Sequence, residues 1–314
     1  MKDKFNREID YMRISVTDKC NLNCFYCMPN DKDNPKVTHQ LSDDEILRII
    51  KVSVTQGITK FRLTGGEPLV RPGIFDLIKK IRNISGISEL TLSTNGVLLL
   101  GNVAKLKKAG IDRVNVSLDV LDSLEYQNIT KYNKVFDYDS LISEIIKEEL
   151  IPFKLNAVLL KGINDTKIND FIRLADKHDI MIRFIELMEI GQLDFDYKRY
   201  YLSTKEVLSN TPDLVFSHSK GNTMYYTSKD KKGLIGFINP VSNKFCDGCN
   251  RLRLTADGKI KPCLHSNDEY SVELDDDKYI EESIKNAILR KPKEHELDKK
   301  DGTRSRRSMN RIGG

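Results

Sequence analysis

Three cysteines fall within eight residues in DKCNLNCFYCMPN: Cys20, Cys24 and Cys27. The other three in the chain, Cys246, Cys249 and Cys263, form a second group, so all six thiols are accounted for by two triplets. Each triplet is odd in number and contains a C-x-x-C, which leaves a thiol over from any disulfide pairing. The first residues, MKDKFNREIDYMR, have no apolar export segment, so a reducing compartment is expected. There thiolates serve as ligands for zinc or iron-sulfur clusters. Inert buried cysteines would scatter rather than group. A structural zinc site takes four ligands, commonly as two separated pairs, and C-x-x-x-C-x-x-C does not supply them. A cubane cluster held by three thiolates keeps one iron open to a small molecule, and an open iron implies chemistry rather than electron storage alone. At the second triplet a zinc knuckle completed by His265 stands as the alternative.

The elements that must position these thiols follow a repeating rhythm. Strand-like apolar runs occupy residues 12–16 (MRISV), 60–64 (KFRLT), 88–93 (SELTLS), 112–118 (DRVNVSL), 152–160 (PFKLNAVLL) and 181–187 (MIRFIEL). Helical patterns lie between them. In SDDEILRIIKVSVTQG, Ser42 is the N-cap, Glu45 completes a capping box and Gly57 closes the end. RPGIFDLIKKIRN, GNVAKLKKAG, YDSLISEIIKEEL and TKINDFIRLADKHD repeat the role. Six strands alternating with helices imply a parallel sheet with helices outside it. Small, polar and turn-forming residues collect after the strands, in CNLNCFYC, GGEP, STNG, SLD, KGIND and ELM. One such rim on nearly every strand is the pattern of a barrel enzyme; an open sheet would concentrate contacts at one switch point. The expected fold is therefore α/β, a partial (β/α)6 barrel.

Four strands carry a cation inside an apolar run: Arg13, Arg62, Lys154 and Arg183. In a sheet covered on both faces an uncompensated charge costs several kcal/mol. Four such cations imply a common anionic ligand inside the barrel, with pairing to internal carboxylates such as Glu186, or an edge-strand position, as the alternative. The overall charge of +5 leans the same way, weakly, since 31% of residues are charged and both signs are dispersed. No apolar run approaches the roughly 20 residues of a membrane span.

Residues 1–190 are expected to form the barrel and residues 191–314 a C-terminal α+β extension carrying the second triplet and the tail. In the extension, FDYKRYYLSTKEVLSN reads as a helix after a loop and TMYYTSKDKKGLIGFINP as a strand pair joined at its charged turn. In CNRLRLTADGKIKPCL the Asp257–Gly258 turn predicts a hairpin that sets Cys263 opposite Leu252, near Cys249, with Arg251 and Arg253 on one side beside the metal. The basic end, KKDGTRSRRSMNRIGG, taken alone suits a solvated tail or nucleic-acid arm.

CNLNCFYC after a first strand, GGEP after a second and a partial β/α barrel together resemble the radical S-adenosylmethionine superfamily. The resemblance implies a 4Fe-4S cluster on Cys20, Cys24 and Cys27 whose open iron chelates S-adenosylmethionine. An injected electron then yields a 5′-deoxyadenosyl radical that abstracts a hydrogen atom. By motif, Tyr26 would lie near the adenine, the backbone at Gly66 would receive the methionyl amino group, and Ser117 and Met188 would complete the pocket. The second triplet, the adjoining NRLRLT and the terminal RSRRSMNRIGG narrow the resemblance, over essentially the whole chain, to the GTP 3′,8-cyclase family of molybdenum cofactor biosynthesis. That implies a second 4Fe-4S cluster on Cys246, Cys249 and Cys263, with GTP bound between the two. The ribose would lose its 3′ hydrogen and the 3′ carbon would attack C8 of guanine. GTP contacts would fall to Arg13, Arg62, Ser93, Lys154, Arg251 and Arg253, with Ser93 standing where relatives have threonine. Arg183 would quench the radical or bind phosphate, and a tail ending in Gly313 and Gly314 would thread into the site. The resemblance further implies a reducing electron donor, a homodimer, hand-off to cyclic pyranopterin monophosphate synthase and a cytoplasmic location, with neither nucleic acid nor membrane as partner. A radical peptide maturase would normally carry more cysteines in its extension. A non-enzymatic iron-sulfur protein that senses redox state or binds RNA would explain the charge and the triplets but not GGEP or the strand cations.

Overall fold

The computed structural model describes residues 1–28, 39–228, 232–297, 299 and 305–313. Six strands, β1 (Tyr11–Ser15), β2 (Lys60–Thr64), β3 (Glu89–Thr94), β4 (Arg113–Ser117), β5 (Lys154–Leu159) and β6 (Met181–Glu186), lie side by side in chain order and all parallel. Helices α1 (Asp43–Thr55), α2 (Ile74–Arg82), α3 (Val103–Ala109), α4 (Ser123–Thr130), α5 (Tyr138–Lys147) and α6 (Ile168–His178) fill the crossovers. The expected capping box is present at α1: Glu45 N–H donates to Ser42 Oγ and Ser42 N–H to Glu45 Oε2.

Side-chain alternation divides the sheet into two unlike faces. Met12, Ile14, Phe61, Leu63, Leu90, Leu92, Ile182 and Phe184 on one face have no exposed surface. With Ile46, Ile49, Ile50, Leu77 and Ile78 of the helices they form the core, and each such side chain contributes about 1.5–3 kcal/mol on burial. The opposite face carries Tyr11, Arg13, Arg62, Thr91, Ser93, Asn115, Lys154, Asn156 and Arg183. A polar lumen faced by an apolar outer layer is what the alternation of the strands dictates.

The C-terminal third extends this same sheet at both edges. On one side β10 (Arg251–Leu254) runs parallel to β1, followed by β11 (Lys259–Lys261) and β12 (Tyr270–Ser271), both antiparallel. On the other, β9 (Leu234–Ile238) pairs parallel with β6, then antiparallel with β8 (Thr223–Ser228), and β7 (Leu214–Lys220) ends the row. The result is a twelve-stranded open sheet with the six-stranded half-barrel at its centre. The remaining helices are α7 (Tyr197–Tyr200), α8 (Thr204–Ser209), α9 (Asp277–Leu289), which packs on α1, and α10 (Met309–Ile312).

Two expectations are corrected. FDYKRYYLSTKEVLSN forms two short helices, because Asp196 and Ser203 each cap a new start. The β10–β11 hairpin pairs Arg253 with Lys261 and Leu254 with Ile260, so the register carried two residues further sets Cys263 opposite Arg251, not Leu252. The loop holds three residues, Ala256 to Gly258, with Gly258 left-handed at φ 78°, where a two-residue Asp–Gly turn would shift the pairing by one. Sequence reading also passed over α4 and β7, whose apolar spacing is weak, and α9, although its Ile280, Ile284, Ala287 and Ile288 fall at helical spacing. The strand pair of TMYYTSKDKKGLIGFINP is formed by β8 and β9, and residues 229–231 of its turn lie outside the described residues.

Candidate active site

β1 delivers the first triplet. Its exit is fastened to the GGEP loop by Gly66 N–H to Thr17 O and Glu67 N–H to Lys19 O, both 2.8 Å. A Cβ on Gly66 would lie 2.3 Å from the Lys19 carbonyl oxygen, so glycine is required there for the close approach of the two loops themselves. Glu67 is fully buried and accepts from Leu69 N, Thr94 Oγ1 and Asn95 N; burial pushes its carboxyl up to about 7. Asn95 in turn donates to Asn21 Oδ1 and approaches Cys20 Sγ at 3.8 Å. Cys27 N–H and Met28 N–H both donate to Cys24 O, folding the loop into a tight turn. Burial raises the thiols of Cys20, Cys24 and Cys27, the last to about 12, and neighbouring Cys27 and Cys20 add to the rise at Cys24.

Tyr26 donates to Asp119 Oδ2 at 2.5 Å, and Asp119 is held by Val158 N and, through its own carbonyl, by Asn164 Nδ2. Thus β4, β5 and the cysteine loop fix the tyrosine together. Ser117 ends β4 opposite Asn156.

The four strand cations share the lumen and are joined there by Arg251 and Arg253 of β10. Arg13 is in register with Arg62 on one side and Arg253 on the other. None of the six makes an ion pair with a carboxylate among the described residues: Arg62 donates to Thr91 Oγ1, Arg183 twice to Asn156 Oδ1, and Arg253 to the Gly313 carbonyl. Glu186, the internal carboxylate weighed as their partner, lies on the other face of β6 with Ile182 and Phe184 and is taken up by Thr204 N, Val241 N and the backbone and hydroxyl of Ser242. Burial and the other cations bring Arg62 down to about 9, Arg183 to about 10 and Lys154 to about 8. Burial also lowers Arg251 and, further, Arg253. Ser93 faces the same lumen, opposite Asn115.

β10 is parallel to β1, and Cys246 and Cys249 precede it, whereas Cys20 to Cys27 follow β1. The triplets therefore stand at opposite ends of one strand pair, whose five-residue β1 is about 16 Å long. The cations lie along the stretch between them. A cavity of about 800 Å³, counting its open mouth, is lined by Cys246, Cys249, Cys263, Arg13, Arg251 and Arg253, and Met188 also faces it. Met188 thus sits in front of the second triplet. Burial raises Cys246; at Cys249 burial is outweighed by Lys291 and Arg251, which lower the thiol. His265 lines this cavity against His295, ring centres 4.5 Å apart.

The tail enters the same space. Arg307 binds Glu269 and Asp257 through four hydrogen bonds of 2.6–3.0 Å, and Gly191 N–H donates to Ser305 O. Beyond this anchor, Asn310 Nδ2 donates to Asp18 O and its backbone approaches the Cys27 thiol. Gly313, at φ 83°, is reached by Arg253 and packs on Ser15 and Thr64. Gly314 lies outside the described residues.

Comparison with known proteins bears on this arrangement. Residues 14–175 match the family model described as Radical SAM superfamily, and residues 180–297 that described as Molybdenum Cofactor Synthesis C. The chain is 42% identical to the GTP 3′,8-cyclase of Clostridium acetobutylicum and 44% identical to that of Alkaliphilus oremlandii, covering all of both chains in each case. The chain belongs to the GTP 3′,8-cyclase family. Among solved structures, anSMEcpe with bound AdoMet matches 94% of this chain and 92% of its own at TM-score 0.62 and 17% identity. SuiB of Streptococcus suis bound to S-adenosylmethionine matches 82% and 60% at 0.59 and 17%. At that identity they share the fold alone.

Membership of this cyclase family implies a 4Fe-4S cluster and S-adenosylmethionine, and the residues fit. All six cysteines are free thiols, partly buried; Cys27 and Cys20 add to the rise at Cys24, and Cys263 and Cys249 to that at Cys246. Among the described residues no three His, Cys, Asp or Glu groups are arranged around a single metal ion. A cuboidal cluster asks for something else, one thiolate on each of three irons. In the lumen, Tyr11 Oη, Arg13 Nε and Asn115 Nδ2 are buried with no hydrogen-bond partner. Sequence reasoning missed Tyr11, Asp119, Asn95 and Arg307 as site residues; Asp119 was legible in SLD, Asn95 in STNG and Arg307 in the terminal RSRRSMNRIGG, while Tyr11 carries no motif. No helix among the described residues is long and apolar enough to cross a membrane.

Proposed function

We propose that this chain converts GTP to 3′,8-cyclo-7,8-dihydro-GTP, the first step of molybdenum cofactor biosynthesis. The observation that carries this reading is the lumen of six cations without carboxylate partners among the described residues, running between two cysteine triplets. Guanidinium and ammonium groups gathered at low dielectric suit a triphosphate, to which arginine binds in bidentate fashion. When bound on Cys20, Cys24 and Cys27, a 4Fe-4S cluster with one open iron supplies the electron that splits S-adenosylmethionine into methionine and the 5′-deoxyadenosyl radical. In this reading Tyr26, held by Asp119, supports the adenine side; Gly66 and Ser117 border the pocket; and Met188 closes it toward the substrate. Cys246, Cys249 and Cys263 hold a second 4Fe-4S cluster on the guanine side. Arg13, Arg62, Ser93, Lys154, Arg251 and Arg253 bind and orient GTP. Arg183, kept in place by Asn156, faces the developing product, Gly313 borders the lumen, and the tail ending in Gly313 and Gly314 supports cyclisation.

We divide the chain functionally near residue 190, radical generation before it and substrate binding after it. A reducing electron donor, a homodimer, a cytosolic setting and hand-off to cyclic pyranopterin monophosphate synthase belong to the same proposal. The test is anaerobic reconstitution with iron and sulfide, followed by reductant, S-adenosylmethionine and GTP. 5′-Deoxyadenosine formed in step with a cyclised guanine nucleotide is the expected result. 5′-Deoxyadenosine formed with GTP untouched would refute the proposal.

A further inference from the structure

Tyr11 opens β1 on the lumen face, in register with Lys60 of β2 and Arg251 of β10. Its ring is covered by the Arg62 guanidinium, 5.7 Å from the ring centre. Its hydroxyl is buried and meets no hydrogen-bond partner; the Arg13 guanidinium stands near it without a bond of ordinary geometry. A buried phenol with no partner among the described residues is costly to the fold, and such groups mark places where a ligand completes the bonding. Three guanidiniums, of Arg13, Arg62 and Arg251, surround this one, and their fields pull the phenol below its ordinary range against the opposing effect of burial. An oxygen anion is the group that would be attracted by all three and could also accept from the hydroxyl.

We propose that Tyr11 is a substrate-binding residue, its hydroxyl donating to a phosphate oxygen of the bound nucleotide triphosphate. This deepens the GTP reading and rests on it. The phenol adds what the guanidiniums lack: a short, rigid donor whose ring is fixed by Arg62, so it selects one orientation of the phosphate chain. No protein group meets the hydroxyl among the described residues, and a phosphate oxygen would.

Tyr11→Phe keeps the ring and the Arg62 contact and removes only the hydroxyl. In anaerobic calorimetry on the reconstituted holoenzyme, we expect its Kd for GTP to rise about three- to tenfold while that for guanosine stays unchanged. Its unfolding temperature without nucleotide should equal or exceed that of the wild type, because an unpaired buried group has been removed. Unchanged GTP affinity would overturn the proposal. So would an equal loss for guanosine, which would move the contact to the nucleoside, or a clear fall in nucleotide-free stability, which would mean the hydroxyl is already bonded. Arg62→Ala serves as the control: wild-type and Arg62→Ala proteins that both fail to bind GTP would sink the GTP reading itself, a result distinct from a null effect of Tyr11→Phe.

Discussion

Gly313→Ala tests whether the docked tail matters to ring closure. Gly313 sits at φ 83°, where a side chain costs about 1–2 kcal/mol. Its Cβ would stand 2.4 Å from Thr64 Oγ1 and 3.2 Å from Ser15 Cβ, an overlap with the rigid end of β2 that adds about 1–3 kcal/mol. A total of roughly 2–5 kcal/mol lowers the docked fraction, relative to the undocked, by about 30-fold to several thousandfold. In anaerobic turnover resolved by liquid chromatography, we expect 5′-deoxyadenosine within about twofold of wild type and cyclised nucleotide reduced to a few per cent, as on removing Gly313 and Gly314. Thr64→Ala in the Gly313→Ala background removes the overlap but not the backbone cost, and should restore cyclisation about tenfold. Alone it should be nearly silent, since Thr64 Oγ1 makes only a 3.4 Å bond to Ile14 O. Wild-type cyclisation by Gly313→Ala would refute the reasoning, as would a double variant no better than the single.

Arg307→Ala should loosen residues 305–313 by about 1–3 kcal/mol, seen as faster hydrogen exchange there, with Arg307→Lys restoring only part because lysine lacks the two-sided fork that reaches Asp257 and Glu269; unchanged exchange would refute it. Burial, then Arg183 and Arg113, bring Lys154 from 10.5 to about 8. The nucleotide-free native state therefore binds fewer protons than the unfolded state from pH 8 to 10.5, and this group makes stability rise with pH across that window. Triphosphate favours the ammonium form, so GTP affinity should fall above pH 8 with proton uptake on binding; calorimetry at pH 8.5 giving identical heats in buffers of different ionisation enthalpy would contradict this. Cys24→Ala should form no 5′-deoxyadenosine, and a normal rate of its formation would overturn the assignment of the first triplet.

Legibility in the sequence followed the strength of the local pattern. β2 was read to the residue, and the other five barrel strands to within two residues at each end, because a strand between two buried faces is a bounded apolar run. The cations stood out for the same reason: Arg62 between Phe61 and Leu63 contradicts its surroundings. The β10–β11 register was missed by one, because ADG and DG turns look alike until Gly258 is known to close a three-residue loop. β7 was invisible, since beyond Leu214 its residues are exposed and carry no alternation. Tyr11 was overlooked because a tyrosine at a strand start is ordinary; only an unpaired hydroxyl among three guanidiniums makes it a candidate, and that is a fact of packing.

Arg253 ties these strands of reasoning together. It is in register with Arg13, borders the cavity of the second triplet and donates to the Gly313 carbonyl. A guanidinium has five donors, so one bond to the tail leaves others for a phosphate. The tail's carbonyl is a neutral acceptor: it orients the guanidinium without cancelling the charge, which a carboxylate at the same place would do. The same choice recurs at Arg62 with Thr91 and at Arg183 with Asn156, a hydroxyl and an amide. Each of these three guanidiniums is steered by an uncharged group and its charge is left for the ligand. Burial and mutual repulsion weaken the proton affinity of Arg62, Arg183 and Lys154, and an anion spanning them relieves both costs together. Glu186, on the outer face of β6 with Ile182 and Phe184, holds Thr204 and the Val241–Ser242 turn, so no carboxylate among the described residues takes up the charge of these guanidiniums.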